Sequence, residues 1–421
     1  MVLPRALLPE LLRWLERPEA IAIKGPRQSG KTTLLGLLRE ELLRRGVPEQ
    51  RVVVLNFEDR ELLERFAKEP KAVVESHLAG QERHYVLMDE YQYVPEGGQK
   101  LKLLVDTLPL VKFVVTGSSS LELAAAFGRF LVGRVFFFEL LPLSFAECLS
   151  DQRLARLHQE RAAAIHRFLR GGTFKLEKDV VVDELRRPFE EYLLHGGYPA
   201  VVNAATAGEK EMVLKGIFDT YISRDIIEFL RVADAARYRC LVKQLALRMG
   251  GQVDYAELAS SCQSYYHDVK RTLSILAETY VLRLVPPFFR NPATELRKMP
   301  KAYFLDTGLR NMLASNFNRL EERSDAGMLA ENAAFIGLSR IDPNVRYWRT
   351  IAKAEVDFVL ETAAGIVPVE VKYRAEPALA RGMRSFIRSY KPERALVLTK
   401  DVWRMQRIEG CRVLFAPLAC L

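Results

Sequence analysis

Cysteine is scarce in this chain: five in 421 residues, at positions 148, 240, 262, 411 and 420, with no C-x-x-C pair. That spacing argues against a zinc ribbon and against a disulfide framework, and it fits a reducing compartment. The six histidines include no H-E-x-x-H, so the sequence lacks that zinc-protease signature. Long apolar runs are also missing. The opening "MVLPRALLPELLRWLERPE" is broken by Arg5, Glu10 and Arg13, which excludes a signal-peptide core. The later "RFLVGRVFFFELLPLSF" is interrupted by Arg134 and Glu139 and is too short to span a bilayer. A cytoplasmic protein without membrane segments is the expectation.

The chain is long enough for two to four folding units. Hydrophobic residues make up 49% and charged residues 27%, an ordinary globular balance. The net charge of +9 favours an anionic partner without naming it.

The stretch "IKGPRQSGKTTLL" carries the first chemistry. Gly25, Pro26, Arg27, Gln28, Ser29, Gly30, Lys31 and Thr32 fit G-x-x-x-x-G-K-[ST] at every fixed position, and Thr33 follows. "AIAIK" ahead of it reads as a buried strand, and "TTLLGLLREELLRR" behind it has helical spacing. Strand, glycine loop and helix aim backbone N–H groups and the positive helix end at phosphates. Lys31 is expected to reach the β- and γ-phosphates of ATP, and Thr32 to ligate Mg²⁺. The apolar run "HYVLMDEYQ" then delivers Asp89, a metal ligand, and Glu90, a general base for the lytic water. "KFVVTGSSS" follows, with Thr116 or Ser118 as candidates to orient the water or sense the γ-phosphate. Arg134, or Arg129, is a candidate to act in trans on a neighbour's nucleotide, which requires a homo-oligomer.

From Leu141 onward the pattern turns helical, as a lid beside a P-loop core reads. Arg224 and Asp225 in that stretch read best as a structural pair. Between Ala236 and about Leu305 the spacing resembles a winged helix. Its recognition helix begins near Ser264 and carries His267, Lys270 and Arg271 outward. The wing, "FFRNPATELRKMPKAYFLD", offers Arg290, Arg297, Lys298 and Lys301 to phosphates. In the last third, "EVDFVL" places Glu355 and Asp357 on one strand face, and "PVEVKY" places Glu370 and Lys372 on one face of a neighbouring strand. With Glu331 reaching in from a helix, these carboxylates suit a divalent metal, with Lys372 to orient hydroxide or stabilise charge. Ordinary cross-strand ion pairs are the bland alternative.

The motifs "GPRQSGKTTL", "LMDEYQ", "VVTGSSS", "LVGRVFFFELLPLSFAE", "HGGYPAVV", "KAYFLDTGLRNML" and "EVDFVL…VPVEVKY" together resemble prokaryotic AAA+-type P-loop ATPases of the archaeal-ATPase group. That group carries a C-terminal domain of unknown function. The resemblance implies an α/β fold with four parts. A RecA-like parallel-sheet core spans 1–140, a helical lid 141–235, a winged-helix segment 236–310, and an α/β domain similar to PD-(D/E)XK nucleases 311–421. It carries the ATP and Mg²⁺ roles to Lys31, Thr32, Asp89 and Glu90, the finger role to Arg134, and the nuclease-like site to Glu331, Asp357, Glu370 and Lys372. Ala354 stands where such chains often have glycine, and Val356 replaces the first residue of the usual Pro-Asp pair; neither removes a ligand. The implied activity is ATP-driven loading, translocation or remodelling of duplex or branched DNA. The competing reading is a nucleotide-gated switch or scaffold that binds protein or nucleic acid without cleaving it.

Overall fold

The computed structural model describes residues 3–117, 131, 133–174, 183–223, 235–288, 299–374 and 377–421. The chain divides into two compact units, Met1–Pro142 with Glu278–Val281, and Leu143–Ala277 with Leu282–Leu421. Apart from Leu141, Pro142 and Glu278–Val281, the residues of the expected lid, winged-helix segment and terminal domain fall within the second unit.

The first unit is built on strands β1 (Ala20–Lys24), β2 (Val52–Asn56), β3 (His84–Asp89), β4 (Val111–Gly117) and β5 (Val135–Glu139). They form one parallel sheet in the order β2-β3-β4-β1-β5. Helices α1 (Leu7–Trp14), α2 (Lys31–Arg44), α3 (Arg60–Lys68), α4 (Pro70–Glu75) and α5 (Gly97–Thr107) supply the covering layers. The near-continuous apolar runs of β3 and β4 follow from burial on both faces. Alternation divides the core in two. Ala20 and Ala22 of β1 join Phe57, Phe66 and Phe113 on one side, while Ile21 and Ile23 join Leu34, Leu38 and Leu42 of α2 on the other.

The second unit begins with helices α6 (Phe145–Cys148), α7 (Gln152–Leu169), α8 (Asp183–His195), α9 (Pro199–Val202) and α10 (Ala207–Ile217). Three more follow: α11 (Ala235–Leu247), α12 (Tyr255–Ser261) and α13 (Tyr266–Glu278). Strands β6 (Leu282–Val285) and β7 (Lys301–Phe304) then pair as an antiparallel ribbon. Asp254 caps α12 by accepting from the backbone N–H groups of Ala256 and Glu257. One expectation is corrected here. Cys240 of α11 and Cys262, at the end of α12, form a disulfide across 22 residues. Helix packing brings them together, a relation that sequence spacing does not display.

Helix α14 (Thr307–Ala314) and helix α15 (Ala326–Ile341) lead into β8 (Arg346–Arg349), β9 (Glu355–Thr362) and β10 (Gly365–Lys372). Helix α16 (Arg381–Tyr390) precedes β11 (Arg394–Thr399), β12 (Arg404–Ile408) and β13 (Cys411–Pro417). The six strands form a mixed sheet in the order β12-β13-β11-β10-β9-β8. Met383, Phe386 and Ile387 of α16 pack on Val356, Val397, Val413 and Phe415. Each such side chain, fully buried, contributes about 1.5–3 kcal/mol.

Candidate functional site

The phosphate loop leaves β1 at Lys24 and enters α2 at Lys31. Gly30 sits at φ +92°, in the left-handed region that glycine adopts at little cost, and Gln28 shares that region at φ +58°. Gly25 is required for a different reason: a Cβ there would lie 2.1 Å from the carbonyl oxygen of Leu140. Lys31 is buried and donates to the carbonyl oxygens of Gly25 at 3.0 Å and Pro26 at 2.8 Å. Burial lowers its pKa to about 8, against the pull of Glu90 and Asp89, which favour the charged form. Ser29 is buried beneath the loop, whereas Thr32 and Thr33 are exposed on the first turn of α2.

Asp89, the last residue of β3, joins this loop to the sheet. Its Oδ2 accepts from the Thr32 hydroxyl at 2.6 Å, and its Oδ1 accepts from the Thr116 hydroxyl at the end of β4. Thr116 Oγ1 in turn accepts from the Glu90 backbone N–H at 3.2 Å. Glu90 itself lies at φ +53°, an unusual conformation for a side-chain-bearing residue, and its carboxylate accepts from the Gln92 amide. Thr32, Asp89, Glu90 and Lys31 are therefore assembled at the C-terminal ends of parallel strands, where ligands bind in open α/β sheets. The oxygen donors of Thr32 and Asp89 suit Mg²⁺.

Arg134 is placed differently. Its Nε donates to Asp106 Oδ1 at 2.7 Å, an exposed pair at the end of α5. Ser118, Arg129, Arg224, Asp225, Arg290, Arg297 and Lys298 lie outside the described residues. Arg5 contributes a support that the sequence did not reveal. Its guanidinium donates to Leu141 O at 2.7 Å and Ser29 O at 3.2 Å, tying the N-terminus to the loop.

In the second unit, β9 and β10 are antiparallel neighbours, and Asp357 Oδ2 accepts from the Val371 N–H at 2.8 Å. Lys372 pairs with Glu370 at 2.7 Å, and the second Glu370 oxygen, Oε2, is buried without a hydrogen-bond partner among the described residues. Glu331 takes another partner. Lys301, expected in a solvated wing, is instead buried, with Nζ 3.2 Å from Glu331 and 2.5 Å from Glu355. The Tyr303 hydroxyl also donates to Glu331, at 2.5 Å. Burial works against the Lys301 charge, but Glu331, Glu355 and Asp357 outweigh it and hold the pKa above its ordinary value. Asp357 is pushed up to about 7 by burial first and then by the Glu331 charge.

Among the described residues, no group of three or more His, Cys, Asp or Glu is arranged to hold a metal ion. The Lys301 ammonium of β7 engages Glu331, whose charge also acts on Asp357, while Lys372 pairs with Glu370. Lys301 is likewise unavailable to phosphate.

On α13, His267, Lys270 and Arg271 are all exposed, with Val269, Leu273 and Leu276 on the buried side. Tyr265 and Tyr266 are also exposed at the start of that helix.

Comparison with known proteins divides the chain in a related way. Residues 17–149 match the model of an AAA domain. Residues 186–320 and 326–421 match two domains of unknown function, DUF8612 and DUF4143. An uncharacterized protein of Haemophilus influenzae is 26% identical over 422 residues, covering 97% of this chain and 96% of its own length. One from Mycobacterium tuberculosis is 29% identical over 381 residues, covering 89% of this chain and 75% of its own. Among solved structures, C. elegans PCH-2 overlaps with a TM-score of 0.29 at 14% identity, covering 65% of this chain and 70% of that one. AMPPCP-bound DnaA from Aquifex aeolicus overlaps with a TM-score of 0.26 at 14% identity, covering 65% and 86%. Residues 17–149 are thus similar to an AAA domain, and no helix among the described residues is long and apolar enough to cross a membrane.

Proposed function

We propose that this chain hydrolyses ATP and uses the cycle to act on DNA. The observation that carries the ATPase reading is the convergence of Lys31, Thr32, Asp89 and Glu90 at one end of the parallel sheet. Backbone N–H groups of Arg27–Thr32 hold the phosphates, and Lys31 pairs with the β- and γ-phosphate oxygens. Thr32 and Asp89 would hold Mg²⁺, which when bound would neutralise phosphate charge. Glu90 orients and deprotonates the attacking water, while Thr116 fixes both the Asp89 carboxylate and the Glu90 backbone. Ser118 is assigned to γ-phosphate sensing. Arg134 acts on a neighbouring subunit's nucleotide only where its pair with Asp106 opens.

The DNA half of the reading rests on α11–α13 and the β6–β7 ribbon, an arrangement that suits a winged helix. It rests too on the basic residues that α13 exposes. Steady-state ATP hydrolysis with Mg²⁺ at low salt, with and without duplex and branched DNA, tests it, with Lys31→Ala as the blank. Strong stimulation by one DNA form is the expected result. Turnover unmoved by any DNA would sink the DNA role.

A second reading is favoured by one observation. Lys301 engages Glu331, and among the described residues no group of three carboxylates is arranged to hold a metal ion, which suits a switch or scaffold that binds without cutting. Plasmid nicking in Mg²⁺ or Mn²⁺ decides between the two. Nicking that is lost in Lys372→Ala would establish cleavage, and its absence in the wild type supports the binding-only module.

A further inference from the structure

The basic charge of this chain is concentrated where no motif drew attention. Residues 381–412 contain nine Lys and Arg against three Asp and Glu, a net +6 of the +9 carried by the whole sequence. They form α16, β11 and the β12–β13 hairpin of the six-stranded sheet. Of these strands, β12 is the edge.

Two features make this more than a solvated face. The first is a row of like charges. Arg407 on β12 stands directly opposite Arg412 on β13, and Arg412 stands beside Arg394 on β11. Cys411, Val413 and Phe415 pack beneath α16, so alternation turns Arg412 and Arg407 to the other face of the sheet. Like charges directly opposite one another in a sheet repel, so this pairing weakens the hairpin unless an anion lies across it. Arg394 is buried and held by Ala364 O and Glu393, but Arg407 is exposed and Arg412 half-buried.

The second feature lies on the other flank. Arg381, Arg384 and Arg388 recur along the outer face of α16, one and two turns apart. Arg388 is bound by both carboxylate oxygens of Glu409 at the hairpin turn, which fixes the helix beside the hairpin tip. Among the described residues, Arg381, Arg384, Arg407 and Arg412 have no carboxylate within ion-pairing distance.

We propose that the β12–β13 hairpin and the outer face of α16 form a binding surface for the phosphodiester backbone of DNA. The argument is charge complementarity: guanidiniums without an ion-pairing carboxylate among the described residues stand on the hairpin and on the helix that Glu409 fixes beside its tip, and a regularly spaced polyanion neutralises several of them at once. These contacts go to phosphate rather than to base edges, so the surface supplies affinity without sequence preference. It rests on the DNA reading above, and it adds a second contact region to α13.

The test is fluorescence anisotropy of a labelled duplex oligonucleotide with the full chain, measured over a series of salt concentrations. Variants are Arg407→Ala/Arg412→Ala and Arg381→Ala/Arg384→Ala, with Lys270→Ala/Arg271→Ala for comparison. Each hairpin or helix pair is expected to weaken binding and to lower the slope of log affinity against log salt by about 1–2. Unchanged affinity and slope in both arginine pairs, with the wild type binding DNA, would overturn this surface while leaving the DNA reading intact. A wild type that binds no duplex at low salt would overturn both. Should the Arg407/Arg412 variant fail to fold, the surface helix pair decides the question alone.

Discussion

Lys31 is a lysine whose charge the fold disfavours. Its pKa of about 8 lies below the ordinary 10.5 because burial outweighs the attraction of Glu90 and Asp89. The sign for stability follows directly. Between pH 8 and 10.5 the folded chain has released a proton that the unfolded chain keeps, so the cost of burying this ammonium is full below pH 8 and fades as pH rises. Phosphate binding runs the other way, because it needs the charge that high pH removes. Nucleotide affinity should therefore hold steady below pH 8 and fall by roughly tenfold per pH unit above it. Titration with a fluorescent nucleotide from pH 7 to 9 checks this, and Lys31→Ala should bind weakly with no such slope. A flat profile in the wild type would show that Lys31 is not the phosphate-pairing cation. The place of Lys31 in the loop was legible in the sequence because strand, loop and helix are contiguous. Arg5 was not, since its partners Ser29 and Leu141 lie 24 and 136 residues away. Lys301 misled for the same reason: its carboxylates are 30 and 54 residues downstream.

At the scale of elements, local pattern and close packing part company. The alternation in "EVDFVL" and "PVEVKY" anticipated the faces of β9 and β10, and the structure pairs them as adjacent antiparallel strands. How α16 sits on that sheet left no comparable signal. It depends on Gly382, where a Cβ would stand 1.9 Å from Glu355 O and 2.7 Å from Glu355 N. Backbone cannot yield as a flexible side chain does, so Gly382→Ala forces α16 away from β9. The expected loss is about 1–3 kcal/mol of stability, the range for overpacking a well-filled contact. Gly327→Ala in α15 provides the contrast, because nothing lies within 4 Å of its Cβ. There the better helix propensity of alanine should leave stability unchanged or raise it by about 0.5–1 kcal/mol. Urea unfolding of the two variants side by side measures both effects. Equal stabilities would mean that α16 does not depend on that close approach.

For the whole molecule, the question is whether nucleotide chemistry in one unit answers to a partner held by the other. A net charge of +9 would make any association with DNA steep in salt, but charge alone does not link binding to turnover. Lys270 and Arg271 separate the two, since both are exposed on α13 and belong to a different unit from Lys31 and Asp89. Reversing them, in Lys270→Glu/Arg271→Glu, should leave basal ATP hydrolysis at the wild-type rate. Near-normal basal turnover would also show that the ATPase unit remains folded. The DNA concentration giving half-maximal stimulation should rise, and the gap from wild type should narrow as added salt screens the reversed charges. Circular dichroism of the variant guards against a collapsed second unit. Stimulation with unchanged half-maximal DNA concentration would remove α13 from the DNA path and leave the arginine-rich sheet edge as its main contact. Loss of basal turnover together with stimulation would mean that the second unit supports the ATPase structurally rather than reporting DNA to it.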